Sequence, residues 1–313
     1  MKIVMLDGDT LPQPPARPEW CTEWHFRGTT QPSEIVAALR GAHIAITNKV
    51  PLRAETLRQL PDLRYICVAA TGYDCIDLEA CREQGIVVSN VPGYSTRSVA
   101  EGVIAALFAL RRQLVDYATS TRSVWPASSH FCVHRQPIQD IFGATLGVVG
   151  KGDIGSAVGT MAQALGMTVL YADRKGSTQP RPGYVPFEEV LARSDVLTLH
   201  CPLTPQTQQL INLHALAQMK SSALLINTAR GGLINESELA HALRQGVIAG
   251  AALDVLTHEP PPADHPLLQP DVPNLLLTPH IAWASQQGVE NLLRGIEGNL
   301  AAFAAGEARH VVS

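Results

Sequence analysis

Four polar side chains in the second half of the chain have the types needed to reduce a carbonyl: Arg230, Asp254, Glu259 and His280. Apolar runs of strand type precede them, Ala223 to Asn227 before Arg230, Ala249 to Leu253 before Asp254 and Glu259, and Leu275 to Leu277 before His280. In an open parallel sheet, ligands lie outside the carboxyl ends of the strands, so this placement gathers the four at one edge. Histidine exchanges protons near neutral pH. A carboxylate on its second ring nitrogen fixes the imidazole and favours the protonated form. Arginine pairs with a substrate carboxylate and polarises a neighbouring ketone. Beside a hydride carrier, these groups complete the set for reducing a 2-keto acid. Singly, each has a plainer use. Arg230 could be a surface residue beside two glycines, Glu259 a solvated side chain on a proline-rich loop, and His280 a core histidine bonded to a backbone carbonyl. Their joint position at strand ends favours the chemical reading.

The hydride carrier has its own signature between Gly143 and Asp173. Thr145 to Val149 is a strand-like apolar run, followed at once by Gly150, Gly152 and Gly155. Ile154, Val158, Met161, Ala162 and Leu165 then fall at helical spacing, and Gly166 suits a helix end. A second strand, Thr168 to Ala172, ends on Asp173. This order is the dinucleotide-binding fingerprint. Gly150 permits the tight turn, Gly152 lets backbone approach a pyrophosphate, and Gly155 packs helix against strand. The helix N-terminus offers unpaired N–H groups to the phosphates. Asp173, eighteen residues beyond Gly155, can accept the ribose hydroxyls. A carboxylate there repels a 2′-phosphate, which predicts NAD with NADH preferred. Arg174 and Lys175 follow immediately, so NADPH is not excluded. Asp153 is an acid beside the expected pyrophosphate; it either points away or stabilises the helix start.

The elements around these residues alternate. Lys2 to Leu6, His43 to Thr47, Leu63 to Ala69 and Ile86 to Val91 read as strands, separated by short helical patterns. Ser95 or Thr96 caps a long apolar helix predicted to run past Leu114. After the glycine turn, Val196 to His200 adds a strand, and Cys201-Pro202 opens the loop at its end. Asn235 to Glu238 has the form of a capping box, and Ser285 or the glutamines after it open a final helix. Strand-helix alternation throughout predicts an α/β protein with parallel sheets.

The chain has 313 residues, which suggests two domains, and a net charge of −4, which gives no footprint for nucleic acid or an anionic membrane. The opening MKIVMLDGDT carries acids where a signal peptide is apolar, and the greasiest stretch, near Val99 to Leu110, is too short to span a bilayer. A cytoplasmic protein is expected. The six cysteines form no CxxC pair, and His130 and His134 lie between prolines without completing a ligand set. No metal site is expected.

The segments AATGYDCIDLEACREQGIVVSNVPGYSTRSVAE, GVVGKGDIG, LHCPLTPQT, INTARGGLINE, AALDV, HEPPP and LTPHIAWAS are long and specific. Through them the chain resembles the D-isomer-specific 2-hydroxyacid dehydrogenase family, and within it the hydroxypyruvate reductases (glycerate dehydrogenases). The resemblance runs from the first residues to about 305. It implies reduction of hydroxypyruvate or glyoxylate, with Arg230, Glu259 and His280 catalytic. It implies that the backbone of Thr71 and Gly72 binds the substrate carboxylate, with Arg230 and His280 also on the substrate. It maps cofactor contacts onto Asp153, Ile154, Asp173, Cys201, Pro202, Thr207, Thr228, Ala229 and Asp254, besides the three glycines. It implies two Rossmann-like domains with a cleft between them: residues 1–97 plus 288–313 for substrate, and 98–287 for NAD. It further implies a homodimer.

Three residues depart from the pattern or stand out. Ala70 replaces the glycine of many relatives in the substrate loop, and Gly102 replaces a histidine. Trp283, three residues past His280, either shapes a substrate pocket or is an ordinary buried tryptophan. Rival readings stay within reach of the same fold: D-lactate, phosphoglycerate or phosphite dehydrogenases, or an NAD(H)-sensing corepressor. Formate dehydrogenases carry glutamine where Glu259 stands, which argues against that reading.

Overall fold

The computed structural model describes residues 1–177 and 179–313. They divide into two compact units, Met1–Ser95 with Ala284–Ser313, and Thr96–Trp283.

The first unit is built on a five-stranded parallel sheet. Its strands are β1 (Lys2–Met5), β2 (Glu23–Phe26), β3 (Ile44–Thr47), β4 (Tyr65–Val68) and β5 (Val87–Ser89), in the order β2-β1-β3-β4-β5. β3 and β4 are buried at every position, as expected of apolar strands covered on both faces. β2 was not evident in the sequence. It is an edge strand, exposed at three of its four residues, and pairs only with β1. Without an apolar alternation it has no strand signature. The helix Gln286–Ala304 packs Leu292, Ile296 and Leu300 inward, and its Phe303 ring stacks on Tyr65 at 4.2 Å. Ser285 caps that helix through the Gly288 N–H, 3.0 Å away.

The second unit holds a six-stranded parallel sheet. Its strands are β6 (Thr145–Val149), β7 (Thr168–Ala172), β8 (Val196–Leu199), β9 (Leu224–Asn227), β10 (Gly250–Leu253) and β11 (Leu275–Leu277), in the order β11-β10-β9-β8-β6-β7. Alternation along the strands divides the core in two. Val149, Leu197, Leu199, Leu225 and Leu253 face one cluster, and Leu146, Val148, Val196, Leu224 and Ile226 the other. Helices cover both faces, which is why these strands read as unbroken apolar runs.

The chain leaves β6 towards β7 and returns to β8 on the other side of β6. That reversal opens a crevice at the carboxyl ends of β6 and β8, where ligands of such sheets bind.

The long helix ends earlier than its pattern predicts. It spans Thr96–Arg111, and a separate helix follows at Leu114–Val124. Gln113 between them adopts a left-handed conformation, φ 52°, which interrupts the helical ladder. The second helix buries none of its residues in this chain. All six cysteines are free. Among the described residues, no three metal-binding side chains gather, and no helix is long and apolar enough to cross a membrane.

Candidate active site

Strand register builds the first part of the site. Val149 of β6 pairs with Leu199 of β8, so Gly150 and His200 emerge side by side. The His200 N–H donates to the Val149 carbonyl at 2.7 Å. Gly150 has φ +101°, and a Cβ there would stand 2.6 Å from the Cys201 nitrogen and the His200 carbonyl. Only glycine fits this turn. A Cβ on Gly155 would stand 2.0 Å from the Gly150 oxygen, so helix and turn are in direct contact. A Cβ on Gly152, by contrast, meets nothing within 4 Å. Gly152 is the N-cap of the helix Asp153–Ala164 and brings no side-chain cap. Open space therefore faces uncapped helix N–H groups, as a pyrophosphate requires. Asp153 is exposed at the first helical position, and Ile154 is half-buried behind it.

The neighbouring strand ends line the same edge. His200 is half-buried, and desolvation pushes its imidazole down to about 4, so it is neutral at physiological pH. Its Nε2 lies 2.9 Å from the Thr198 hydroxyl. Burial also pushes the Cys201 thiol up to about 11, which makes it an unreactive wall. Thr207 holds the loop after Cys201 by donating to the Pro202 carbonyl at 2.7 Å and accepting from the Thr204 N–H at 2.8 Å. At the end of β9 the Thr228 hydroxyl is buried without a protein partner, a polar atom suited to a ligand. Ala229 next to it is half-buried. These features fit a dinucleotide across the crevice.

The catalytic candidates come next. His280 Nδ1 meets Glu259 Oε2 at 2.6 Å, and the other Glu259 oxygen accepts the Leu256 N–H at 2.8 Å. His280 sits at φ +56°, a strained conformation for this residue. Its surroundings explain the tolerance. The His280 N–H donates to the Asp254 carbonyl at 2.8 Å. The buried Asp254 carboxylate accepts the Thr278 hydroxyl at 2.6 Å and the Ile281 and Ala282 N–H groups at 2.9 Å each. Asp254 thus grips the chain on both sides of His280. Trp283 is half-buried and donates its indole N–H to the His280 carbonyl at 2.8 Å, so it braces that turn. Gly102 packs on the same turn, since a Cβ there would stand 3.5 Å from the Ala282 Cβ.

Arg230 begins the turn after β9, with Nη1 donating to the Ala229 carbonyl at 2.8 Å. Gly231 beside it presses on the Glu259 loop, because a Cβ there would fall 2.0 Å from the Leu256 carbonyl carbon. The turns carrying Arg230, Glu259 and His280 are therefore joined. A pocket of about 400 Å³ opens beside His280 and Glu259, with Leu256, Leu268 and Leu277 on its apolar side. Thr71 and Gly72 belong to the other unit, after β4, where the Thr71 carbonyl accepts Asn90 Nδ2 at 2.7 Å.

The profile described as D-isomer specific 2-hydroxyacid dehydrogenase, NAD binding domain, matches residues 104–282. The chain belongs to this family. A glycerate dehydrogenase of Methylorubrum extorquens is 46% identical, over 99% of this chain and 98% of its own. A hydroxypyruvate reductase of Blautia hydrogenotrophica is 35% identical over the full length of both chains. Among solved structures, an acyclic imino acid reductase in complex with NADPH and D-Arg superposes with a TM-score of 0.86, at 30% identity and full coverage of both chains. The protein is accordingly an α/β oxidoreductase that uses a nicotinamide cofactor.

One part of this dehydrogenase site had no sequence signal. Glu236 accepts the Thr257 N–H at 2.7 Å and pairs with the buried His265 at 3.1 Å, so it anchors the Glu259 loop from beneath. These residues are far apart in sequence. Asp173 differs from its expected form. Its oxygens accept the Arg174 N–H at 2.8 Å, the Arg181 N–H at 2.7 Å and the Arg181 guanidinium at 2.9 Å, so it is not a free ribose acceptor. The Arg181 guanidinium holds the carboxyl well below its usual range, at about 2.

Proposed function

We propose that the protein reduces a small 2-keto acid, hydroxypyruvate or glyoxylate, to D-glycerate or glycolate. The observation that carries this reading is the 2.6 Å contact between His280 Nδ1 and Glu259 Oε2. With Nδ1 on Glu259, Nε2 is the ring nitrogen left to give a proton to the substrate carbonyl oxygen. Glu259 orients the ring. Arg230 holds the substrate carboxylate and polarises the ketone. The main-chain N–H groups of Thr71 and Gly72 also bind the substrate carboxylate. A bound nicotinamide supplies the hydride. Gly150, Gly152, Asp153, Ile154 and Gly155 take the pyrophosphate side, and Cys201, Pro202, Thr207, Thr228 and Ala229 the remainder of the cofactor. Asp254 acts by fixing the His280 turn. In this scheme residues 1–97 and 288–313 bind substrate, and 98–287 bind the cofactor.

The protein works in the cytoplasm as a homodimer in this reading. Support for the dimer is the helix Leu114–Val124, which buries nothing in its own chain, with Trp125 and Phe131 exposed beside it at 54% and 89%.

Oxidation of NADH and NADPH by the purified protein, with hydroxypyruvate, glyoxylate, pyruvate and phenylpyruvate, tests the substrate reading. Fastest turnover on the first two is expected. Faster turnover on phenylpyruvate or pyruvate overturns it.

A further inference from the structure

Asp173 ends β7, at the position where an acid distinguishes the two nicotinamide cofactors. It does so by accepting ribose hydroxyls and by repelling a 2′-phosphate. Both effects need a carboxylate with open oxygens and an unbalanced charge. Asp173 has neither. Its side chain is 3% exposed, and the Arg181 Nη2 lies 2.6 Å from Oδ1, in addition to the Nε contact and the two backbone donors.

Arg181 is placed to serve a second anion. Its side chain is 52% exposed although it is bound to Asp173. The guanidinium carbon stands 4.1 Å from the Tyr184 ring centroid, so an aromatic face holds it in place. Lys151, inside the glycine turn, lies 4.4 Å from the Tyr171 centroid and 5.5 Å from that of Tyr184. Tyr184, which the two share, thus gathers a second cation beside Arg181. Arg174 and Lys175, exposed directly after Asp173, add two more positive charges. Asp173, the acid in contact with Arg181, is itself paired.

We propose that Arg181 sets the cofactor choice: by closing over Asp173 it removes the acid's discrimination and presents a guanidinium to a 2′-phosphate, so that the site takes NADPH. The ligand class is a 2′-phosphorylated adenosine. The inference rests on the nicotinamide reading of the crevice and names the residue that sets its specificity.

Binding titrations, read by calorimetry, separate the two. The probes are adenosine 2′,5′-bisphosphate, 5′-AMP, NADPH and NADH, on the wild-type protein, Arg181→Ala and Arg181→Ala/Asp173→Asn. The wild type is expected to bind the bisphosphate at least about tenfold tighter than 5′-AMP, and NADPH tighter than NADH. Arg181→Ala bares Asp173 and is expected to reverse that ratio by about a hundredfold, with 5′-AMP binding retained as proof of an intact site. The double variant is expected to recover part of the loss, because the repelling charge is gone. A wild type that favours 5′-AMP and NADH overturns the proposal, whatever the variants do. So does an unchanged ratio in Arg181→Ala. Binding of none of the four probes to the wild type overturns the nicotinamide reading itself.

Discussion

Glu259 and His280 come from different strand-end loops, 21 residues apart, and meet at 2.6 Å. Each is fixed from outside the pair. Glu259 is tied through its second oxygen to the Leu256 N–H, and His280 is held in a left-handed turn that Asp254 and Trp283 brace. A preorganised acid of this kind needs no rearrangement when substrate arrives.

Replacing Glu259 by glutamine keeps an acceptor and removes the charge. The His280 ring keeps its hydrogen-bond partner but loses the charge opposite it, and kcat/KM for reduction is expected to fall roughly tenfold while cofactor affinity stays unchanged. An unchanged kcat/KM contradicts the pairing.

Glu236 acts on the site through the Thr257 N–H and His265. Glu236→Ala leaves that buried histidine and the Glu259 loop without an anchor. We expect kcat to fall roughly tenfold and stability by about 1–3 kcal/mol. The pH profile is expected to keep its wild-type shape, which separates positioning from proton transfer. A shifted profile contradicts this role.

Half-buried, neutral His200 makes stability depend on pH. Its folded value is about 4, below the ordinary histidine value of 6.5, so the unfolded chain binds more protons between those limits. Stability therefore falls as pH drops from about 6.5 towards 4. His200→Gln removes this dependence, and its cost relative to wild type is expected to shrink by roughly 2 kcal/mol between pH 7.5 and pH 4.5. Urea unfolding at the two pH values measures it, and an equal difference at both contradicts the assignment.

Gly150 admits no side chain. Gly150→Ala places a Cβ against the Cys201 nitrogen and His200 carbonyl at a φ that disfavours alanine. Loss of several kcal/mol, about 3 or more, is expected in unfolding experiments, together with loss of cofactor binding. Wild-type stability in this variant contradicts the packing of the two strand ends.

Much of this arrangement is legible in the chain because burial on both faces writes itself as apolar runs. β3, β4, β6, β8 and β9 are such runs, and the glycine turn and Asn235 cap announce themselves by residue type. Other features carry no local mark. β2 is an exposed edge strand of Glu, Trp, His and Phe. The break at Gln113 occurs without glycine or proline in an otherwise helical pattern. The Asn235–Glu238 signature is half realised: Asn235 accepts the Glu238 N–H, but the Glu238 carboxylate accepts the Leu213 N–H instead of reaching back. Arg181 reaches Asp173 across a glycine- and proline-containing segment, and Glu236 reaches His265 from another strand end. Pairings of that sort depend on how loops fold over strand ends, and composition and periodicity do not encode them.

His280 donates the proton in the proposed reduction. Single-turnover reduction of hydroxypyruvate by wild type and His280→Ala, with cofactor affinity measured on the same samples, tests it most directly. A loss of about a thousandfold in rate with cofactor affinity within twofold of wild type is predicted. A rate within a few-fold of wild type, or loss of cofactor binding along with activity, would contradict the role and make His280 a structural residue.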